Sequence, residues 1–299
     1  MESNETMLSQ TPPYPILGLL GNASLVFQHL PKCGGTSVHE LLQAHFPPER
    51  VCPERFNELI YYPQARLDDY RYYSGHYDRN NVLFIPKPVR VITLLREPKE
   101  RIISLYRFWR AHREESITEH HYAAKLAREM SLLQFLRHRA DSVPENVNNY
   151  MTRYLSGYTE LDPNGEFSHS PKKMLTQAAA HLDSMDCFGL LEYFEDFIHL
   201  LFQRLQLPIP DEMPRLKDHR RFTEDPGLDH VELAPISPEI QLELHKLTEL
   251  DSCLYLYAKQ RFLKLLAASG QRKALPRMSW SERTRNYGLR LRLQMARYV

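Results

Sequence analysis

The sequence SLVFQHLPKCGGTSVHELLQAHF, residues 24–46, joins an apolar run to a Gly-rich loop and then to a helical pattern. The apolar residues 24–30 predict a buried strand that ends at the loop. After the loop, four apolar residues share one face of a helix: Val38, Leu41, Leu42 and Phe46. Thr36 or Ser37 is expected to cap this helix. We therefore predict a strand, a loop and a helix, a unit from which α/β folds are built.

Two similar units follow along the chain. The run VRVITLL (89–95) is apolar and β-branched, and a helix is expected to begin at Pro98. The run CFGLL (187–191) leads into the helical pattern YFEDFIHLLFQRL (193–205). Short apolar strands that alternate with amphipathic helices favour a parallel sheet covered on both faces. We predict a P-loop-like, three-layer α/β/α fold.

The rest of the chain suggests three regions. Residues 1–22 are expected to form a loosely ordered arm. Residues 23–268 are expected to form one catalytic domain, and residues 269–299 a basic tail. Ser237 and Pro238 predict the start of one long helix that reaches about Ala268. The tail alternates leucines with arginines, so it can lie on an anionic membrane or guide an acidic acceptor. A tail that is disordered or docked on the domain is the alternative.

The composition excludes some classes of function. Lys and Arg number 38 against 37 Asp and Glu, so we expect no nucleic-acid partner. The four cysteines form no C-x-x-C pair, which favours reduced thiols over zinc ligands or disulfides. The first residues are acidic where a signal peptide is basic, and no apolar run reaches the roughly 18–20 residues of a membrane span. A cytoplasmic protein is expected.

The Gly-rich loop has the properties of an anion site. Gly34 and Gly35 let the backbone approach an anion, and the following helix adds amide groups and its dipole. Lys32 supplies a charge. In the nucleotide-hydrolysing loop the Lys follows the second Gly, whereas here it precedes both. Anion binding is the main interpretation, and a purely structural Gly turn is the alternative.

A second anion group is predicted at the end of the 89–95 strand. Arg96 stands where open α/β sheets bind ligands, and Ser104 lies two turns along the next helix. Together they can hold a second phosphate. An Arg in place of the strand-end Asp that holds magnesium disfavours a metal-bridged triphosphate, and we predict no metal site. An ordinary strand-end Arg and a surface Ser are the alternative.

Three weaker candidates complete the site residues. His76, after Gly75, can serve as a base for an acceptor hydroxyl, although a lone His is more often structural. Asn149 and Arg153 share a helix face that can meet the acceptor or cofactor, with solvation as the alternative. A basic stretch can close over the nucleotide or bind an anionic acceptor, with a solvated loop equally weighted: Lys217, Arg220 and Arg221.

Six ordered blocks resemble the carbohydrate sulfotransferases of the Golgi and their bacterial relatives, nearest to the heparan sulfate 2-O-sulfotransferase-like group. They span about residues 24 to 265: FQHLPKCGGTS, SGH, VITLLREPKERIISLYRFW, NYMTRYLSG, FGLLEYFEDFIHLL and LTELDSCLYLYAKQRF. The first and third blocks are specific, and the others hold the order. The family's membrane anchor is missing, which by this resemblance points to a bacterial-type or otherwise soluble member.

The resemblance implies roles for particular residues. The loop would bind the 5′-phosphosulfate of 3′-phosphoadenosine 5′-phosphosulfate (PAPS) through Lys32, Cys33, Gly34, Gly35, Thr36 and Ser37. Arg96 and Ser104 match the residues that hold the 3′-phosphate, and His76 matches the catalytic base. Members of the 2-O group often carry a second His two residues before the base, where this chain has Ser74.

The predicted function is therefore transfer of the sulfuryl group from PAPS to an acceptor hydroxyl, most naturally on a carbohydrate or glycoconjugate, with 3′-phosphoadenosine 5′-phosphate (PAP) as product. Sulfuryl transfer resembles phosphoryl transfer, since positioning and charge stabilisation do most of the catalysis. Two alternatives are kept. One is a P-loop-like kinase, and the other is a non-enzymatic binding protein with a sulfotransferase fold.

Overall fold

A computed structural model of the protein describes residues 14–117, 122–213 and 227–270. At its centre lies a parallel sheet in the order β2-β1-β3-β4. Its strands are β1 Ser24–Gln28, β2 Tyr72–Gly75, β3 Val89–Leu95 and β4 Cys187–Leu190. Because all four run in the same direction, their carboxyl ends meet at one edge of the sheet.

Most of the remaining described residues are helical. The helices are α1 Pro15–Leu20, α2 Gly35–Gln43, α3 Gln64–Leu67, α4 Arg79–Leu83, α5 Pro98–Ala111, α6 Tyr122–Glu129, α7 Leu132–Arg137, α8 Val143–Val147, α9 Tyr150–Ser156, α10 Pro171–Ser184, α11 Phe194–Leu205, α12 Pro238–Leu247 and α13 Glu249–Ala268. Within the part of the chain that the structure describes, no helix is both long and apolar enough to cross a bilayer.

Packing around β4 confirms the three layers. Successive strand residues point to opposite faces of a sheet. A Cβ at Gly189 would lie 2.3 Å from the ring of Phe197, so α11 presses on one face. Phe188 points the other way, and its ring centroid lies 6.5 Å from that of Phe262 on α13. Helices therefore cover both faces of the sheet, as predicted.

The strand β2 was not predicted. Its sequence, YYSG, is too short to show the alternation of a strand, yet all four residues are buried and pair with β1 from Leu25↔Tyr72 to Gln28↔Gly75. Because β2 lies next to β1, its carboxyl end carries His76 to the edge at which the Gly-rich loop begins. The unpredicted strand β2 thus decides where the predicted base lies.

Two features at the ends of the domain were not predicted. Part of the expected arm, residues 1–22, forms α1, and its Ile16 is fully buried in the core. Residues 1–13 and the tail 271–299 lie outside the described residues. The long helix after Ser237 is two helices, α12 and α13, which meet at Thr248. Ser237 does cap α12, since its hydroxyl accepts a hydrogen bond from the Ile240 amide at 3.3 Å.

Candidate active site

The Gly-rich loop turns sharply between β1 and α2. Lys32 and Gly34 both have left-handed backbones, with φ of 65° and 82°. Such a conformation costs about 1–2 kcal/mol for a non-glycine residue, so strained backbone at Lys32 is typical of a functional loop. Gly34 is the N-cap of α2, and no side chain makes a capping hydrogen bond there. The expected capping by Thr36 or Ser37 was therefore wrong, and α2 begins without a side-chain cap.

Three of the predicted phosphate ligands converge on this loop. Arg96, just after β3, donates from Nη1 to the carbonyl oxygen of Lys32 at 3.2 Å. The Lys32 ammonium lies 3.7 Å from the centroid of the Phe108 ring on α5. Ser104 precedes Phe108 by four residues, so both lie on the same face of α5. The loop, the end of β3 and this face of α5 form one cationic corner.

His76 stands at the carboxyl end of β2 in one defined tautomer. Its Nδ1 lies 2.8 Å from the carbonyl oxygen of His29, which can only accept, so Nδ1 carries the proton. Nε2 therefore keeps its lone pair. Burial lowers the pKa of His76 below 6.5, and the charges of Arg55 and Lys32 lower it further, against the hydrogen bond to His29, which raises it. Near neutral pH the ring is uncharged and can accept a proton.

Two residues around His76 were not predicted. The Arg55 carbonyl accepts the His76 amide at 2.8 Å, and Arg55 Nη1 lies 2.7 Å from a ring nitrogen of His39. Burial and the Arg55 charge lower the pKa of His39 to about 4. The Phe56 ring is 65% exposed, with its centroid 6.2 Å from that of His76. No sequence pattern distinguishes Arg55 or Phe56, because a loop brings them to the site from a different part of the chain.

A further residue, His29, was overlooked although it lies inside the quoted motif. Its ring stacks on Phe27 with centroids 5.3 Å apart, and it lies 4.6 Å from the His76 ring. The motif itself, FQHLPKCGGTS, carried the signal, since its His stands between a buried strand and a Gly-rich loop.

Cys33 is the loop residue least suited to bind a ligand. Its side chain is fully buried, and burial raises the pKa of the thiol to about 12. Its amide donates to the carbonyl oxygen of Leu30 at 3.3 Å. Cys33 therefore packs into the core beneath the turn, whereas Lys32, Gly34 and Thr36 are partly exposed.

In the structure, Asn149 joins two helices. Asn149 is buried, and its Oδ1 accepts hydrogen bonds from the amides of Leu250 at 2.7 Å and Asp251 at 3.0 Å. In return, the Asp251 carboxylate accepts from the amides of Met151 and Thr152 at 3.2 and 2.7 Å. The two helices α9 and α13 thus satisfy each other's first amides. Solvation, the alternative role, does not describe this buried residue, and a contact of Asn149 with acceptor or cofactor stays a prediction.

Arg153 is equally structural. Its buried guanidinium donates to three backbone carbonyl oxygens, at 2.8 Å to Asn148 and at short range to Glu145 and Thr159. Burial lowers its pKa, although it stays far above neutral for a guanidinium. Arg153 therefore ties the turns on either side of α9 together. A contact of Arg153 with acceptor or cofactor stays a prediction.

The other candidate cations, Lys217, Arg220 and Arg221, lie outside the described residues. Among the residues that are described, no group of three or more His, Cys, Asp or Glu side chains comes together as metal ligands would.

Comparison with known proteins gives one result at the level of the family. The sequence profile of the sulfotransferase family matches residues 20–258, which include the sheet, the Gly-rich loop, Arg96 and His76. A search of curated proteins gives no match. The profile covers the family as a whole, and the resemblance to the heparan sulfate 2-O group stays a prediction. The matched stretch includes most of the chain, and the protein therefore belongs to the sulfotransferase family.

Proposed function

We propose that the protein transfers the sulfuryl group of PAPS to a hydroxyl of a carbohydrate or glycoconjugate, with His76 as general base. One observation carries the proposal. The base and the anion loop are held by the same short segment, because His76 Nδ1 is bonded to the carbonyl oxygen of His29, three residues before Lys32. A proton acceptor thus stands beside a cationic loop at one edge of the sheet.

The residues at this edge fit a ligand with two phosphate groups. The uncapped amides of α2 and the Lys32 ammonium are donors suited to the 5′-phosphosulfate. Arg96 and Ser104 are donors suited to the 3′-phosphate. PAPS, when bound, would supply an activated sulfuryl group on a phosphate leaving group. We infer that Thr36 and Ser37 add hydroxyl donors to the first group.

The chain's own residues would manage the proton and the charge. His76 Nε2 takes the proton of the acceptor hydroxyl as the oxygen attacks sulfur. The carbonyl oxygen of His29 then stabilises the imidazolium through the 2.8 Å hydrogen bond. Lys32 and the α2 amides stabilise the negative charge that builds on the departing phosphate. Fixed donors and a fixed base make positioning the main source of rate.

The kinase alternative is less well supported by the residues at the end of β3. Arg96 occupies the strand end, and the next residue, Glu97, caps α5 by accepting from the Glu100 amide at 2.8 Å. Neither is placed to hold magnesium on a triphosphate. The non-enzymatic alternative leaves unexplained why a neutral His adjoins the anion loop.

Two variants test the proposal, read by thermal shift with PAP and by transfer of radiolabelled sulfate to glycan, lipid and phenolic acceptors. His76→Ala should lower kcat by about 10²–10⁴-fold with PAP affinity largely kept, as for other lost general bases. Lys32→Ala should lose PAP binding and transfer together. His45→Ala is the control, since His45 packs on Phe202 of α11 with ring centroids 5.7 Å apart.

Three results would contradict the proposal. Turnover like the wild type in His76→Ala would remove His76 as the base. Magnesium-dependent protection by ATP, without protection by PAP, would favour the kinase. PAP binding without product on every acceptor would favour a binding protein.

A further inference from the structure

His29 is a buried polar residue whose side chain has no role in the mechanism above. It is 8% exposed, and its Nδ1 is buried without a hydrogen-bond partner among the described residues. Buried polar atoms of native proteins are nearly always paired, so each exception calls for an explanation. A phenylalanine would fill the same space without an orphaned nitrogen.

The His29 ring lies between the loop and the base. On one side it faces Gly35, where an added Cβ would lie 1.9 Å from Cδ2 and 2.1 Å from Nε2 of His29. On another side it lies 4.6 Å from the His76 ring. Its back is held by Phe27, stacked within 8° of parallel. The ring thus touches both parts of the proposed active site.

We propose that His29 is a positioning residue whose ring sets the separation between the anion loop and the base His76. The inference rests on the proposed function. In-line transfer requires the acceptor oxygen, the sulfur and the departing oxygen to be aligned, and a misplacement of about 1 Å can cost about 10²-fold in rate. The loop fixes the departing oxygen and His76 fixes the acceptor oxygen. The His29 ring, the spacer between them, therefore controls the alignment.

The surroundings keep this spacer uncharged. Burial holds the pKa of His29 well below 6.5, and His76, Arg55, His39 and Lys32 all lower it further. A neutral ring can pack against both His76 and the loop, whereas a second cation would repel the imidazolium that forms on His76.

A double-mutant cycle between His29 and Gly35 tests the contact directly. Gly35 does not have a left-handed backbone, so alanine fits its main chain and the added Cβ meets chiefly His29. Gly35→Ala alone should weaken PAP binding and transfer by about tenfold or more. In the His29→Ala background the same Cβ finds space, so its cost should fall by about fivefold or more, as expected for residues in contact.

The single variants test the positioning of the base. His29→Ala should lower kcat by about 10–100-fold with PAP affinity within about threefold, since one aligned contact is lost. Water then reaches His76, so the acid limb of the rate profile should move up toward pH 6.5. His29→Phe keeps the ring and should retain kcat within about fivefold. His45→Ala controls for loss of an imidazole elsewhere.

Several outcomes would overturn the inference. An equal cost of Gly35→Ala in both backgrounds would show that the ring does not set the loop. A His29→Ala enzyme with lower melting temperature but an unmoved acid limb would make the residue merely structural. Absence of transfer by the wild type would refute the proposed function instead, and the cycle on PAP affinity would still decide whether His29 sets the loop.

Discussion

Replacing Asn149 with alanine should lower the free energy of unfolding and leave the candidate active site intact. Its side-chain oxygen accepts hydrogen bonds from two buried amides at the start of α13, those of Leu250 and Asp251. These amides have no partner within their own helix. Asn149 also has a left-handed backbone, with φ of 44°, which asparagine tolerates and alanine does not.

The two losses can be separated. Leaving buried amide donors unpaired costs about 1–3 kcal/mol. Forcing alanine into the left-handed region costs about 1–2 kcal/mol more. Asn149→Ala should therefore lower the free energy of unfolding by about 2–5 kcal/mol. Each kcal/mol lost should lower the melting temperature by about 2–4 °C. Asn149→Gly loses the acceptor but carries no backbone strain, so it should lie between alanine and the wild type.

Urea denaturation of the wild type and the two variants measures the lost hydrogen bonds and the backbone strain. PAP affinity is measured at urea concentrations well below each unfolding midpoint. The expected order of stability is wild type, glycine variant, alanine variant, with PAP affinity unchanged. If Asn149→Ala stays within about 0.5 kcal/mol of the wild type and binds PAP more weakly, Asn149 is a ligand contact and the reciprocal capping carries little energy. Equal stability of the two variants would refute the argument from backbone strain.

Three further predictions concern protonation. Because burial lowers the pKa of His76 and the base must be neutral, the acid limb of kcat/KM should lie below pH 6.5, and a limb at or above 6.5 would contradict its role. His181 is buried beside Gln28 with its pKa lowered to about 4, so the unfolded chain binds more protons as the pH falls from 6.5. The free energy of unfolding in urea should therefore fall as the pH is lowered from 6.5 to about 4, and it should fall less in His181→Asn. A free energy of unfolding that does not change over this range would contradict the prediction. All four cysteines are buried, and burial raises the pKa of Cys33 and Cys187 to about 12, so Ellman's reagent should react only after unfolding. Prompt reaction of one thiol in the native protein would contradict that expectation.

The parts of the fold that depend on local pattern were predictable. The strands β1, β3 and β4 are apolar runs bounded by loops, and each predicts its own burial. The strand β2 was not, because four residues carry too little pattern and its pairing with β1 joins positions 47 residues apart. The break at Thr248 was also missed, since the amides that begin α13 are satisfied by Asn149, about a hundred residues earlier.

The candidate site divides in the same way. The motif around Lys32 and Gly34 predicted an anion loop, because glycines and a charge before a helix N-terminus are local features suited to an anion. Helical spacing suggested that Asn149 and Arg153 share a helix face that meets the acceptor, the cofactor or solvent. Solvation was wrong, because α9 packs against α10 and α13 and both side chains are buried.

By itself, the sequence determined the parallel α/β architecture and the position of the Gly-rich loop, because each depends on neighbouring residues. The roles of Lys32, Arg96 and His76 stay predictions. Only the tertiary structure decided that His76 meets the loop through His29, with the His29 ring between the base and Gly35. That contact joins the ends of two strands adjacent in the sheet but distant along the chain. Such proximity arises from strand order, which packing of the whole domain selects and no local pattern encodes.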